Sequence, residues 1–143
     1  MIGEIVAAVI GTIAFALLFG VPQRYYLNCG LIGGAGWFLY SILCKYCGSS
    51  ATEATFFATV LVILLSRYSA VRMRCPVTVF LIAGIFPLVP GAKVYWTSYY
   101  LVMGQTQDAL TSGFAAVKAA IAIVLGIVVV LELPNRLFHI KRT

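Results

Sequence analysis

The residues with the most chemical potential lie in one ten-residue stretch, GIFPLVPGAK, from Gly84 to Lys93. It places two prolines, two glycines and a lysine inside a long apolar run. Pro87 and Pro90 each remove a backbone donor and clash with the preceding turn, and Gly91 relaxes what is left. Two prolines this close should open a helix, not merely bend it. Carbonyls freed near Gly84–Phe86 and N–H groups freed near Gly91–Lys93 cannot face lipid, so they must meet protein or a wet cavity. The N-terminal end of a second half-helix attracts anions, exposed carbonyls hold cations, and Lys93, one turn in, strengthens the anion attraction. The chemistry on offer is the binding and passage of a small anion inside a membrane. A proline kink needed only for packing would use the same residues.

The neighbouring groups are read against that site. Tyr95 follows Gly91 by one turn and is a cavity candidate, whereas Tyr99 and Tyr100 suit an aromatic belt at the membrane surface. Gly30, Gly33 and Gly34, with Gly36, put small residues three and four apart in one span, which reads as a helix-packing face. Cys44 and Cys47 have CxxC spacing, but a metal site needs two more ligands, and His139, the single histidine, falls on the opposite side of the membrane in the topology below. No metal or other cofactor is expected. Glu4, Glu53, Asp108 and Glu132 all fall near span ends, so a proton-carrying carboxylate would be Glu53 or Asp108 at the rim, or lie on another subunit. No catalytic carboxylate pair, Ser/His/Asp set or phosphate loop is present, which argues against an enzyme.

These residues must be positioned by membrane helices. The chain is 62% hydrophobic and only 10% charged, with a mean hydropathy of +1.03, far from globular composition. A net charge of +6 does not indicate nucleic acid, because the basic residues flank apolar runs and so set topology. The fold expected is an all-α integral membrane protein, one transmembrane domain over residues 1–143. Its spans are Ile5–Val21, Leu27–Leu43, Thr55–Leu65 with flanks, Val77–Met103 and Phe114–Leu131. The first is read as a retained span and not a signal peptide, since MIGE lacks a basic n-region.

The fourth segment, about 27 residues or roughly 40 Å as a helix, is too long for one straight crossing and too short for two. Charge decides. With one crossing broken at Pro87, Pro90 and Gly91, and the N-terminus outside, Arg24, Arg67, Arg72, Arg74, Arg136, Lys141 and Arg142 fall on the cytoplasmic side. Lys45 then faces out, and Lys93 and Lys118 lie within or near the membrane. A dip-and-return would move the C-terminal cations outside, against the positive-inside tendency. Five spans with a cytoplasmic C-terminus are therefore expected. Turn signals agree: Val21-Pro22 and Cys47-Gly48 end helices, Ser50 or Thr52 caps the third, Pro76 opens the fourth, and Leu133-Pro134-Asn135 ends the fifth. So small a bundle buries few side chains away from lipid, so a partner subunit or a homo-oligomer is expected.

FGVPQRYYLNCGLIGGAGWFLY (Phe19–Tyr40) and FLIAGIFPLVPGAKVY (Phe80–Tyr95) together resemble the threonine/serine exporter family. The resemblance covers essentially the whole chain, and is closer to a small subunit corresponding to the C-terminal half of single-chain exporters. The family motif falls on Gly84, Pro87, Pro90 and Gly91; Lys93 lies outside it. The resemblance implies one part of a two-component secondary exporter in the bacterial cytoplasmic (inner) membrane, driven by the proton motive force and paired with a larger polytopic subunit. It implies a small carboxylate substrate, either a dicarboxylate such as succinate or threonine and serine. The alternative is a non-transporting structural or assembly subunit.

Overall fold

The computed structural model describes residues 2–133. The expectations placed on Pro134, Asn135, Arg136, His139, Lys141 and Arg142 lie outside the described residues. Every described element is helical: α1 (Ile2–Leu18), α2 (Tyr26–Tyr46), α3 (Ala51–Met73), α4 (Thr78–Ile85), α5 (Gly91–Val102) and α6 (Thr106–Leu131). Short 3₁₀ turns occupy Gln23–Tyr25 and Phe86–Leu88.

Local chemistry sets the helix ends. At the end of α1, Gly20 adopts φ +67°, so Val21 N–H reaches the Ala16 carbonyl at 3.0 Å and Gly20 N–H the Leu17 carbonyl at 3.1 Å. That closing turn takes up two orphan carbonyls before Pro22 forbids continuation. At the start of α3, Glu53 N–H donates to Ser50 Oγ at 3.3 Å, and Ser50 N–H donates to the Glu53 carboxylate at 2.9 Å. This reciprocal cap settles the choice between Ser50 and Thr52, and it commits Glu53 to the helix end.

Small residues set how closely the helices approach. A Cβ on Gly33 would lie 2.1 Å from Thr12 Oγ1, one on Gly34 2.5 Å from a Val9 methyl, and one on Gly30 2.9 Å from Ile13. Gly30, Gly33 and Gly34 thus lie under α1, which crosses α2 antiparallel, while Gly36 meets Val62 of α3 on another face. Gly84 of α4 approaches Ile32 of α2, and Gly126 of α6 approaches Thr59 of α3. With little hydrophobic drive between helices in lipid, such close contact is what holds the bundle together.

These elements are roughly consistent with the five spans expected. Three stretches, Gln23–Tyr46, Ala51–Met73 and Thr106–Leu131, are long and apolar enough to span. Thr78–Leu88 and Gly91–Val102 form a fourth, bent by 50°, and α1 is a shorter apolar helix. The packing of α3 on α6 shows that the bent pair crosses once. Thr52–Phe57 lie beside Lys118–Leu125, and Arg67 further along α3 meets the last turn of α6. The two helices therefore run parallel, and the segment between them must cross an odd number of times.

Arg67 has a role that charge counting misses. It is buried, 6% exposed, and its guanidinium donates to the Val130 carbonyl and, at 3.1 Å, to the Leu133 carbonyl. These carbonyls lie at the negative end of the α6 dipole, where the regular helical ladder has ended, so Arg67 is a C-terminal cap supplied by another helix. Arg67→Met should destabilise the purified protein by about 1.5–3 kcal/mol, the scale of a buried charge-assisted hydrogen bond, read as a lowered thermal midpoint in detergent. Gly33→Val should cost about 1–3 kcal/mol by overpacking. Gly11→Ala, whose added Cβ meets nothing within 4 Å, should not lower the same midpoint, since alanine is the better helix former.

Candidate functional site at the broken span

The α4–α5 break is built from three successive departures from helical geometry. The 3₁₀ turn places Pro87 where its missing N–H costs little, and Phe86 N–H still reaches the Ala83 carbonyl. Val89 is extended, with φ −62° and ψ 130°; its N–H donates to the Phe86 carbonyl at 3.1 Å. Pro90, at φ −76° and ψ 47°, centres a three-residue turn in which Gly91 N–H donates to the Val89 carbonyl at 2.8 Å. The carbonyls of Ala83, Phe86 and Val89 are thereby taken up within the break, whereas those of Pro87 and Leu88 receive no backbone donor among the described residues. Donors are left over as well. Val94 N–H is the first to return to a helical bond, at 3.1 Å from the Pro90 carbonyl. The N–H groups of Ala92 and Lys93 have no acceptor among the described residues.

Those donors border a cavity of about 270 Å³. Pro87, Leu88, Val89, Pro90, Ala92 and Lys93 form one wall; Trp37 and Tyr40 of α2, Thr55 of α3 and Ala119 of α6 form the other. Three helices distant in sequence thus converge on the break. Trp37 Nε1 is buried on the side of the Glu4 carboxylate, with which it interacts, and the indole lies 5.2 Å from the Tyr40 ring centre. Thr55 Oγ1 donates to the Ala51 carbonyl at 2.7 Å, which leaves its lone pairs as acceptors. A second cavity of about 320 Å³ shares Trp37 and Pro87 and is otherwise lined by Glu4, Ala7 and Ala8. At its rim Glu4 pairs with Lys45 at 2.9 Å, so the indole and Pro87 stand between that ion pair and Lys93.

The electrostatic sign of the site is positive. Lys93 is half-buried in the wall, beside the positive end of the α5 dipole. Among the described residues no carboxylate pairs with it. Glu4 is held by Lys45, Glu53 by its helix cap, and Asp108 sits in the first turn of α6. A larger groove of about 530 Å³ runs between α3 and α6 past Phe56, Phe57 and Ile121. It is open and almost wholly apolar, suited to lipid and not to polar chemistry.

The residues singled out from sequence divide accordingly. Pro87, Pro90 and Lys93 share the cavity wall. Gly84 is packed against Ile32, and Gly91 opens to space, with nothing within 4 Å of its Cβ position. Tyr95 lies outside the cavity, 62% exposed, with its ring edge-on to Trp96. Gly30, Gly33 and Gly34 lie in the α1–α2 seam. Trp37, Tyr40 and Thr55 were not anticipated. Trp37 and Tyr40 share a helix face at a spacing of three, the one signal that pairs them, but nothing local ties that face to the break. Cys44 and Cys47 are free thiols, and no group of three metal-ligating side chains occurs among the described residues.

Comparison with known proteins agrees with this architecture. A family model described as "Threonine/Serine exporter, ThrE" matches residues 4–132. An uncharacterized protein of Haemophilus influenzae is 27% identical over 140 residues, which is 95% of this chain and 47% of that protein. The chain thus spans about half the length of that curated relative. No solved structure matches the chain. With a broken, positively charged crossing inside a helical bundle and a match across nearly its whole length, the chain belongs to the threonine/serine exporter family, a family of membrane transporters and not of enzymes.

Proposed function

We propose that this chain is one part of a two-component secondary exporter of small carboxylate metabolites, seated in the bacterial cytoplasmic membrane and driven by the proton motive force. The observation that carries this reading is the cavity at the break. Lys93 and the unbonded Ala92 and Lys93 N–H groups are donors lining the wall formed by the break. An uncompensated donor set in a low-dielectric site costs free energy until an anion satisfies it. A carboxylate supplies the acceptors all of these groups lack.

Cavity chemistry also bears on the choice of substrate. The described wall contains one cation and no anion, so it accounts for one carboxylate. The ammonium of threonine or serine needs further acceptors, of which Thr55 Oγ1 and the Tyr40 hydroxyl are the ones present. The second carboxylate of a dicarboxylate such as succinate needs another cation. Either completion calls for groups beyond this chain, in keeping with its half-length relation to the Haemophilus influenzae protein.

In cells carrying the chain with its larger partner subunit and loaded with threonine, serine or succinate, Lys93→Ala should reduce efflux about ten- to a hundredfold, the equivalent of about 1.5–3 kcal/mol for a charge-assisted bond. Lys93→Arg should retain part of the activity, and Trp37→Phe, which keeps the ring but removes the donor, should lower it less. A protonophore should abolish efflux. Unchanged efflux in Lys93→Ala, with assembly intact, removes the assignment of the site. In a cysteine-free background, Ala92→Cys should react with a membrane-impermeant thiol reagent while Ala83→Cys, fully buried in α4, stays inert. If both stay inert, the break is a packing kink and the chain a structural subunit.

A further inference from the structure

Among the helices that present broad outer surfaces, α5 and α6 differ in chemistry. On α6 the exposed side chains include Ile121, Val124, Leu125, Val128 and Val129. None has a polar atom, and lipid tails satisfy such a face completely. On α5 no residue is buried, although seven of its twelve residues, Lys93 and Tyr95 through Tyr100, bear a side-chain polar atom. The helix packs chiefly on α6, through the side carrying Thr97, which meets Gly113. Its other side carries Tyr95, Trp96 and Tyr99, which are 62%, 46% and 40% exposed.

An interfacial aromatic belt accounts for only part of that face. Counted back from the end of α5, Tyr99 lies about 5 Å in, at a depth where rings normally sit. Tyr95 lies about 11 Å in, a full two turns from the helix end and deeper than a belt residue needs. The rings pack on one another, Tyr95 on Trp96 at 5.4 Å and Trp96 on Tyr99 at 5.6 Å. Yet no hydroxyl of Tyr95, Tyr99 or Tyr100, nor Trp96 Nε1, finds a hydrogen-bond partner among the described residues. Polar groups at that depth must be satisfied by protein. The curated relative supplies the missing length: this chain matches 47% of it, so about half of that protein consists of chain absent here.

We infer that the Tyr95–Trp96–Tyr99 face of α5 is the docking surface for a second, non-identical membrane subunit equivalent to the half of the longer relative that this chain lacks. The docked helices bring hydrogen-bond acceptors to the tyrosine hydroxyls and the Trp96 indole N–H. Because Lys93 lies in the first turn of α5, the same contact places the partner beside the cavity. The aliphatic face of α6 stays in lipid. This inference rests on the two-component reading above and names the surface that joins the components.

The test is photocrosslinking in the native host, with p-benzoylphenylalanine at position 95 or 99 and, as control, at 124 or 128. Positions 95 and 99 should yield an adduct with one multi-pass membrane protein whose sequence matches the unmatched half of the relative; positions 124 and 128 should yield none. A homodimer adduct from α5, lipid adducts alone, or equal adducts from both faces would each overturn the assignment. As a second arm, the Tyr95→Ala/Trp96→Ala variant should lower co-purification of that protein at least tenfold. Its own thermal midpoint should stay unchanged, since neither ring is buried in this chain; unchanged co-purification overturns the surface. Efflux separates the two proposals. An α5-specific heteromeric adduct without efflux leaves the surface standing and removes transport, whereas efflux without the adduct removes the surface alone.

Discussion

In a bilayer every backbone donor and acceptor must be satisfied without water, and the fourth crossing of this protein is organised around that constraint. Two prolines within four residues would leave a straight helix with gaps that lipid cannot fill. The chain closes most of them locally, with a 3₁₀ turn at Phe86–Leu88 and a three-residue turn at Pro90. What remains is a small set of backbone groups on both sides of the turns. The Pro87 and Leu88 carbonyls, two N–H groups at the head of α5 and the Lys93 ammonium are left at the break beside a cavity. The net positive sign of the site comes from Lys93.

The rest of the bundle brings a second wall to that point. Glycine seams bring α1 onto α2 and α4 onto both α2 and α3, and Gly126 lets α6 approach α3. Close backbone approach replaces the hydrophobic drive that water would supply to a soluble core. The result positions Trp37, Tyr40 and Thr55 opposite the break, although they come from helices that precede it by decades of residues. Arg67 completes the arrangement from the far end, capping α6 and holding it parallel to α3. Its charge belongs to helix termination inside the bundle. An ionised side chain can end a membrane helix only where carbonyls are there to receive it.

Much of this was legible in residue order alone. An apolar composition, segment lengths near a bilayer thickness and turn residues at each end determine a helical membrane protein of about five crossings. The Pro87–Pro90 pair determines that one crossing is broken, because proline removes a donor whatever surrounds it. The motif in GIFPLVPGAK and the Phe19–Tyr40 segment pointed to the family, and the match over residues 4–132 shows it. Even the cap on α3 was narrowed to two residues, since capping is a contact between residues three apart.

Only the tertiary structure decided which groups meet. Gly84 and Gly91 flank the same break, yet one is packed on Ile32 and the other opens to space, a difference made by the neighbouring helix and not by the motif. Tyr95, one turn beyond the break, points away from the cavity, whereas Trp37, far away in sequence, has its indole in the wall. The parallel run of α3 and α6, which establishes a single fourth crossing, is likewise a relation between distant segments. Backbone hydrogen bonding is local and can be read along the chain. Helix packing depends on shape complementarity between surfaces that sequence order does not pair.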